Sequence, residues 1–275
     1  MTTAAGLLRA SALPALEARI LLEHVLGWRR TELITRDEEA LHAESVGQFE
    51  ALAQRRLNGE PIAQLVGTRE FFGLSFDVTP DVLIPRPETE LLVEIALTKI
   101  EGIEKPRVLD LGTGSGAIAV AIASSRVDAK VWAVDQSAEA LAVAARNASK
   151  LLGGGQTLNL LQSNWTDALD PALRFEVIVS NPPYIAQHDP HLSEGDLRFE
   201  PRFALTDEAD GLNAIRTIIQ TAPFFLAANG SLWLEHGYDQ AAEVRALLTA
   251  RGFSNVRSER DLAGIERASG GVFTA

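Results

Sequence analysis

The chain has 275 residues, of which 46% are hydrophobic and 23% charged, a length and balance that suit a folded protein with a main domain and a smaller one. It contains no cysteine, which excludes disulfides, thiolate metal sites and a cysteine nucleophile. A formal net charge of −12 argues against tight nonspecific binding to phosphate backbones, so a protein or small-molecule substrate is expected ahead of a nucleic-acid duplex.

At the start of the chain Arg9 and Pro14 interrupt the apolar residues. Neither a signal peptide nor a membrane span is readable there, and a soluble, cytoplasmic monomer is expected. Residues 1 to about 60 read as helical. Leu21, Leu22, Val25 and Leu26 recur with helical spacing, as do Val46, Phe49, Ala53 and Leu57, with Gly27 and Pro61 as terminators. Between Leu65 and Val82 the pattern changes to Phe71, Phe72, Phe76 and Val78 around Gly73, the aromatic and β-branched mixture of a hairpin. The expected division is a helical domain over 1–64, a β-hairpin connector over 65–85 and a larger α/β domain over 86–275.

From Arg107 onward short apolar runs alternate with helical patterns: RVLDL, AIAVAIASS, KVWAV, SAEALAVAARNASKLL and TLNLLQS. Such alternation predicts βαβ units around a parallel sheet. FEVIVSN (175–181), GSLWLEHG (230–237) and NVRSERD (255–261) supply later strands, with a helix from about Leu212 to Ala228. The expected fold class is α/β, a doubly wound Rossmann-like sheet with helices on both faces.

Two motifs carry chemistry. The first is the loop Gly112-Thr113-Gly114-Ser115-Gly116, placed directly after a predicted strand and before a helix. Its glycines permit a sharp turn and close approach of a ligand at the carboxyl end of the strand. Asp135, at the end of the next strand, can accept hydrogen bonds from ribose hydroxyls. A nicotinamide dehydrogenase uses similar parts, but its G-x-G-x-x-G spacing differs from the G-x-G-x-G found here.

The second motif, Asn181-Pro182-Pro183-Tyr184, follows the apolar strand FEVIV. The prolines remove two backbone donors and stiffen the segment, leaving carbonyls that only accept. A substrate NH₂ group can give one hydrogen to the Asn181 side-chain oxygen and the other to the Pro182 carbonyl. This arrangement suits methylation of a planar amide or amine, because it orients a delocalised lone pair and favours the positive charge that develops on nitrogen. Tyr184 is expected to pack its ring on the planar group and seal the site. The motif alone serves equally for the exocyclic amine of adenine or cytosine.

Together with DLGTGSG, the run IPRPETE (84–90), the LLEHVLG helix, FFGLSFDV, DLRFEP and LEHGYDQ, the NPPY motif resembles the HemK/PrmC class of release factor glutamine N5-methyltransferases over nearly the whole chain. The resemblance implies an S-adenosyl-L-methionine cofactor and transfer of a methyl group to the glutamine of the GGQ motif in class I peptide chain release factors, which modulates translation termination. It implies that the N-terminal helical domain docks the release factor. It maps the cofactor loop to Gly112, Thr113, Gly114, Ser115 and Gly116, the ribose carboxylate to Asp135, a cofactor-side aromatic to Trp165, and the catalytic and substrate-binding segment to Asn181, Pro182, Pro183 and Tyr184, with Asn181 also facing the cofactor. Gln136 departs from the apolar residue such proteins commonly carry beside adenine.

Arg86, Glu88 and Thr89 stand as candidates for the site entrance, although Glu88 also suits a helix N-terminus. His236 reads as structural, and Asp207, Glu208 and Asp210 as a solvated loop opening a helix. No metal and no direct nucleic-acid partner are expected. The rival functions are a nucleic-acid adenine or cytosine amino-methyltransferase, which needs a basic, aromatic-lined domain for a flipped base, and a noncatalytic binding module on a methyltransferase fold.

Overall fold

The computed structural model describes residues 2–156 and 158–274. The chain divides into two compact units, one running to Thr68 and the other beginning at Arg69.

The first unit holds helices α1 (Ala4–Ala10), α2 (Ala15–Leu26), α3 (Arg30–Thr35), α4 (Ala43–Leu57) and α5 (Ile62–Val66). Their apolar faces converge on Leu21, Leu22, Leu33, Phe49 and Leu65, all buried. Arg56 on α4 forks onto Glu17 on α2 with contacts of 2.8 and 3.0 Å. Gly27 ends α2 in the left-handed conformation, as its sequence position implies. Pro61 behaves differently from its expected role as terminator. Helix α4 already stops at Leu57, and Pro61 instead stands at the N-cap of α5. A missing N–H does no harm there, since the first donors of a helix have no intrahelical acceptor.

The hairpin strands β1 (Thr68–Phe71) and β2 (Leu74–Asp77) are joined by Phe72 and Gly73, with φ of 51° and 73°. Two positive φ values in a two-residue turn match the right-handed twist of the flanking strands. Phe71 and Phe76 meet edge to face with centroids 6.0 Å apart and are buried in the core of the second unit. A buried amide helps tie the hairpin down. Fully buried Asn147 accepts from the Asp77 N–H at 2.7 Å and donates to the Asp77 and Ser115 carbonyls at 3.0 and 2.9 Å.

After the hairpin come α6 (Glu90–Lys99), β3 (Arg107–Leu111), α7 (Ala117–Ser125), β4 (Lys130–Asp135), α8 (Ala138–Leu151), β5 (Leu158–Gln162), β6 (Phe175–Ser180), α9 (Arg202–Leu205), α10 (Asn213–Thr221), β7 (Leu226–Glu235), α11 (Ala241–Arg251), β8 (Ser254–Arg260) and β9 (Glu266–Val272). Among the described residues the main sheet has seven strands in the order β5-β4-β3-β6-β7-β9-β8. The first five are mutually parallel, and β9 pairs antiparallel with both β7 and β8. Side chains alternate across the strands. Val108, Val131 and Val177 join α6 and α7 in one core, while Leu109, Leu111 and Ile178 join α10 and α11 in the other. The expected doubly wound α/β class is what the chain adopts.

Two segments differ from their expected extents. The helix expected up to Ala228 stops at Thr221, where a 3-10 turn over Ala222–Phe225 carries Pro223, and β7 begins at Leu226. Strand β9 has no counterpart among the expected strands, because ERASGGV lacks the apolar signature of a buried strand. Its small residues answer to a crowded neighbour. A Cβ on Gly270 would lie 2.3 Å from Trp233 Cδ2 and 2.4 Å from the Leu232 carbonyl oxygen. Gly270→Ala should therefore lower stability by about 1–3 kcal/mol, the usual cost of overpacking. Urea unfolding measures this, and an unchanged midpoint would show that β9 shifts without penalty.

Candidate functional site

The chain leaves β3 toward β4 and leaves β6 toward β7, on opposite sides of the sheet centre. At such a switch point a crevice opens beyond the carboxyl ends of the two strands. The register aligns Leu111 with Ser180, and the Ser180 hydroxyl donates to the Leu111 carbonyl at 2.6 Å. The glycine loop and the NPPY segment therefore emerge side by side.

In the loop, Gly112, Gly114 and Gly116 have φ of 73°, 54° and 81°. The N–H groups of Gly112 and Thr113 donate to the Val134 carbonyl at 2.8 and 2.9 Å, so the turn is anchored to the end of β4. Asp135, next along β4, is 8% exposed. Its Oδ2 accepts from the Gly114 N–H at 2.9 Å and its Oδ1 from the Ser137 N–H at 3.0 Å. Burial raises its pKa, and the N–H groups of Ser137, Gly114 and Gln136 hold it down. A carboxylate offers roughly four acceptor sites. These backbone N–H groups still leave Asp135 acceptor capacity on the cleft that it lines.

Gly112, Thr113, Gly114, Ser115, Asp135, Trp165, Asn181 and Pro183 all line one cleft of about 880 Å³ including its open mouth. Its apolar surfaces include Ile118 and Ala140, and Gln136 is also on its wall. Trp165 has a positive φ of 50°, uncommon for a residue with a side chain. Its ring lies over the loop, 3.4 Å from where a Gly112 Cβ would be. Gly116 stands apart from the lining residues. It caps α7, and its missing Cβ would lie 3.1 Å from Ala144 Cβ, so its smallness allows α7 and α8 to approach.

Below the loop, fully buried Asp110 accepts from the Thr113 hydroxyl at 2.6 Å through Oδ2, while Oδ1 has no partner among the described residues. Burial pushes this carboxyl up to about 7, against the pull of the Thr113 and Ala119 hydrogen bonds.

A second cavity of about 330 Å³ adjoins the first and is lined by Pro182, Tyr184 and Ile185. Leu83, Arg86, Asn181 and Ala204 line both. The successive prolines thus serve different chambers, Pro183 the larger and Pro182 the smaller. Asn181 donates through Nδ2 to the Thr89 hydroxyl at 3.1 Å. The Tyr184 hydroxyl donates to Glu235 Oε1 at 3.3 Å, and its carbonyl accepts from Gln240 Nε2 at 3.0 Å.

Of the entrance candidates, Arg86 and Thr89 line the larger cleft; Glu88 lies in the 3-10 turn Pro87–Thr89 before α6. Arg86 pairs with Glu200, whose Oε2 also accepts from the Ile84 N–H at 2.9 Å. Glu200 and Glu235 are the residues that sequence reasoning did not single out. A lone acid in the apolar run LWLEHG marks Glu235, and Glu200 lies within the run DLRFEP. His236 is buried, with Nε2 2.7 Å from Ser269 Oγ and Nδ1 2.8 Å from the Gly237 carbonyl, and burial lowers its pKa. Asp207 accepts from the N–H groups of Ala209, Gly211 and Asn213, shaping the start of α10. Among the described residues no group of three His, Cys, Asp or Glu is placed to hold a metal ion.

Comparison with known proteins matches residues 1–67 to the family described as PrmC N-terminal domain and residues 87–195 to the methyltransferase small domain. The release factor glutamine methyltransferase of Burkholderia pseudomallei (strain K96243) is 68% identical, over 98% of this chain and 95% of that protein. The protein of the same name from Escherichia coli (strain K12) is 46% identical, over 97% of this chain and 95% of its own length. Among solved structures, the T. thermophilus 16S rRNA N2 G1207 methyltransferase RsmC, in complex with AdoMet and guanosine, aligns with a TM-score of 0.55 and 20% identity over 74% of this chain and 49% of that one. That likeness is one of fold.

The position of Asp110 sets a pH dependence. Its pKa in the folded protein, about 7, lies above the ordinary value of 3.8, so the unfolded chain releases this proton first and stability falls as pH rises between the two values. In Asp110→Asn the fall should be shallower by up to about 1.4 kcal/mol per pH unit, whatever the variant's absolute stability. Urea titrations across this range provide the check; parallel curves for the two proteins would contradict the assignment.

Proposed function

The chain belongs to the release factor glutamine methyltransferases, and on that premise we propose that it transfers a methyl group from S-adenosyl-L-methionine to the side-chain amide nitrogen, N5, of the GGQ glutamine in class I peptide chain release factors. The observation that carries this reading is the junction of two cavities at Asn181. The larger chamber has the parts a nucleoside cofactor needs, with spare acceptors on Asp135 for ribose hydroxyls and an apolar wall at Ile118 and Ala140 for a purine. The smaller has the rigid acceptors a planar amide needs.

When bound, the cofactor supplies a methyl group on a positively charged sulfonium, and the C–S bond breaks as the amide nitrogen forms the new C–N bond. The protein's part is to hold and orient. The Asn181 side-chain oxygen and the Pro182 carbonyl each take one amide N–H, which presents the nitrogen lone pair toward the cofactor chamber. As positive charge grows on nitrogen both acceptors bind more strongly, a stabilisation specific to the transition state. The charge is lost with an N–H proton, which passes to solvent. Tyr184, anchored at its hydroxyl and its carbonyl, forms a wall of the amide chamber.

The helical unit, which has its own core and no residue on either cavity, is assigned the docking of the release factor. The acidic net charge supports a protein substrate over nucleic acid. Among the described residues no helix is long and apolar enough to cross a membrane, and we place the enzyme, as a monomer, in the cytoplasm.

The decisive assay incubates the protein and labelled methyl donor with a release factor, with its GGQ Gln→Ala variant, or with duplex DNA. Label in the intact factor alone is expected, and label confined to DNA refutes the reading. Asn181→Ala should lower turnover by about 10²–10³ while release-factor binding changes far less. Asp135→Ala should weaken cofactor binding by about 1–3 kcal/mol, measured calorimetrically on the folded variant.

A further inference from the structure

The amide chamber depends on a segment that cannot hold itself in place. Pro182 and Pro183 have no N–H to give, so the position of the Pro182 carbonyl is set by what fixes the two ends of the motif. Upstream, β6 ends at Ser180, whose hydroxyl is bonded to the Leu111 carbonyl. Downstream, the Tyr184 carbonyl accepts from Gln240 Nε2 at 3.0 Å, and the Ile185 N–H donates to the Leu205 carbonyl at 3.0 Å.

Gln240 is half-buried and stands at the N-cap of α11, yet its side chain makes no capping bond to that helix. It bridges three other stretches of chain instead. Oε1 accepts from the Gly237 N–H at 2.8 Å, and Nε2 donates to the carbonyls of Tyr184 at 3.0 Å and Gly211 at 3.3 Å. A backbone N–H can only donate and a carbonyl can only accept, so these partners allow the carboxamide one orientation. They also leave it little slack. Gly211 has φ of 82°, and a Cβ there would lie 2.4 Å from the Tyr184 carbonyl oxygen and 3.0 Å from Gln240 Nε2. Gly237 comes two residues after Glu235, which receives the Tyr184 hydroxyl. The end of β7 therefore holds Tyr184 by its side chain and, through Gln240, by its backbone.

We infer that Gln240 is a positioning residue for methyl transfer. By fixing the Tyr184 carbonyl it holds the downstream end of the Asn181–Tyr184 segment, and with it the Pro182 carbonyl and the Tyr184 wall of the amide chamber. This rests on the reading of that segment as the acceptor of the substrate amide. Gln240 lines neither cavity, so its effect passes through the segment alone.

The chain has two tyrosines, so protein labelled with fluorotyrosine gives two fluorine resonances, and Tyr238→Phe identifies that of Tyr184. Gln240→Met keeps the length of the side chain and removes its donors. Gln240→Glu keeps the shape and the acceptor for Gly237 but, when ionised, sets an oxygen against two carbonyls. In both variants the Tyr184 resonance should shift or broaden. Single-turnover methylation of the release factor should slow by about 10-fold or more, the scale on which a misplaced reacting group costs rate. KM for the release factor and cofactor affinity should stay within about 3-fold of the parent. Asn181→Ala runs alongside as the test of the underlying reading.

If Asn181→Ala is slow while both Gln240 variants keep the parental rate, the positioning role is wrong and the reading of the segment stands. If Asn181→Ala itself keeps the parental rate, both fall. Slowing with an unmoved Tyr184 resonance also overturns the proposal, because the loss would not pass through the held carbonyl. Should Gln240→Glu fail to fold, Gln240→Met decides the matter alone.

Discussion

Everything at this site depends on how β3 and β6 lie against each other. Their parallel pairing sets Leu111 opposite Ser180, and the buried Ser180 hydroxyl bonds to the Leu111 carbonyl at the last rung. A slip of one residue would exchange the faces of β6, moving Val177 and Val179 out of one core and Ile178 out of the other. Such a slip cannot occur cheaply, because both faces of the sheet are packed with apolar side chains. The hydrophobic alternation that folds the sheet also determines which residue follows each strand into the crevice. Gly112 and Asn181 are neighbours because their strands have no other way to pair.

Around that crevice the protein buries four carboxylates and gives each a different environment. Asp135 is supported by backbone N–H groups and keeps acceptor capacity. Asp110 has a single hydroxyl and a backbone N–H against full burial, and its pKa rises to about 7. Glu200 is paired with Arg86, an ion pair that joins segments more than a hundred residues apart in the chain and fixes the wall shared by both cavities. Glu235 has a phenol, and its pKa also rises to about 7. Charge held out of water is expensive unless it is compensated. Asp110, Asp135 and Glu235 gather at the carboxyl ends of their strands, the place where folding stability is subordinate to recognition.

Much of this was legible in the residues. The strands announced themselves through runs such as VLDL and FEVIV, and the two motifs that face the crevice are local, each complete within five residues. The hairpin was readable from Phe71 through Val78. Where reading along the chain fell short, the cause is pairing between distant segments. Strand β9 needs a glycine at 270 because Trp233 occupies the space a side chain there would fill, a fact recorded in another strand. Pro61 is compatible with ending one helix or beginning another, and only the earlier stop at Leu57 decides between them. Thr89 acquires meaning from Asn181, and Glu200 from Arg86. In a single sequence neither member of such a pair reveals its partner.

The buried amide of Asn147 has a practical consequence for taking the protein apart. Two of its three hydrogen bonds are to Asp77, in the second strand of the hairpin. A fragment beginning at residue 86 would keep every strand of the main sheet but strip those partners from a side chain that has no access to water. It would also uncover the core surface that Phe71 and Phe76 protect. A fragment beginning at Arg69 keeps the hairpin and all three bonds. For expression of the sheet unit alone, or for grafting a different N-terminal unit onto it, the usable seam is therefore on the N-terminal side of the hairpin, where the backbone can be cut without orphaning the buried amide of Asn147.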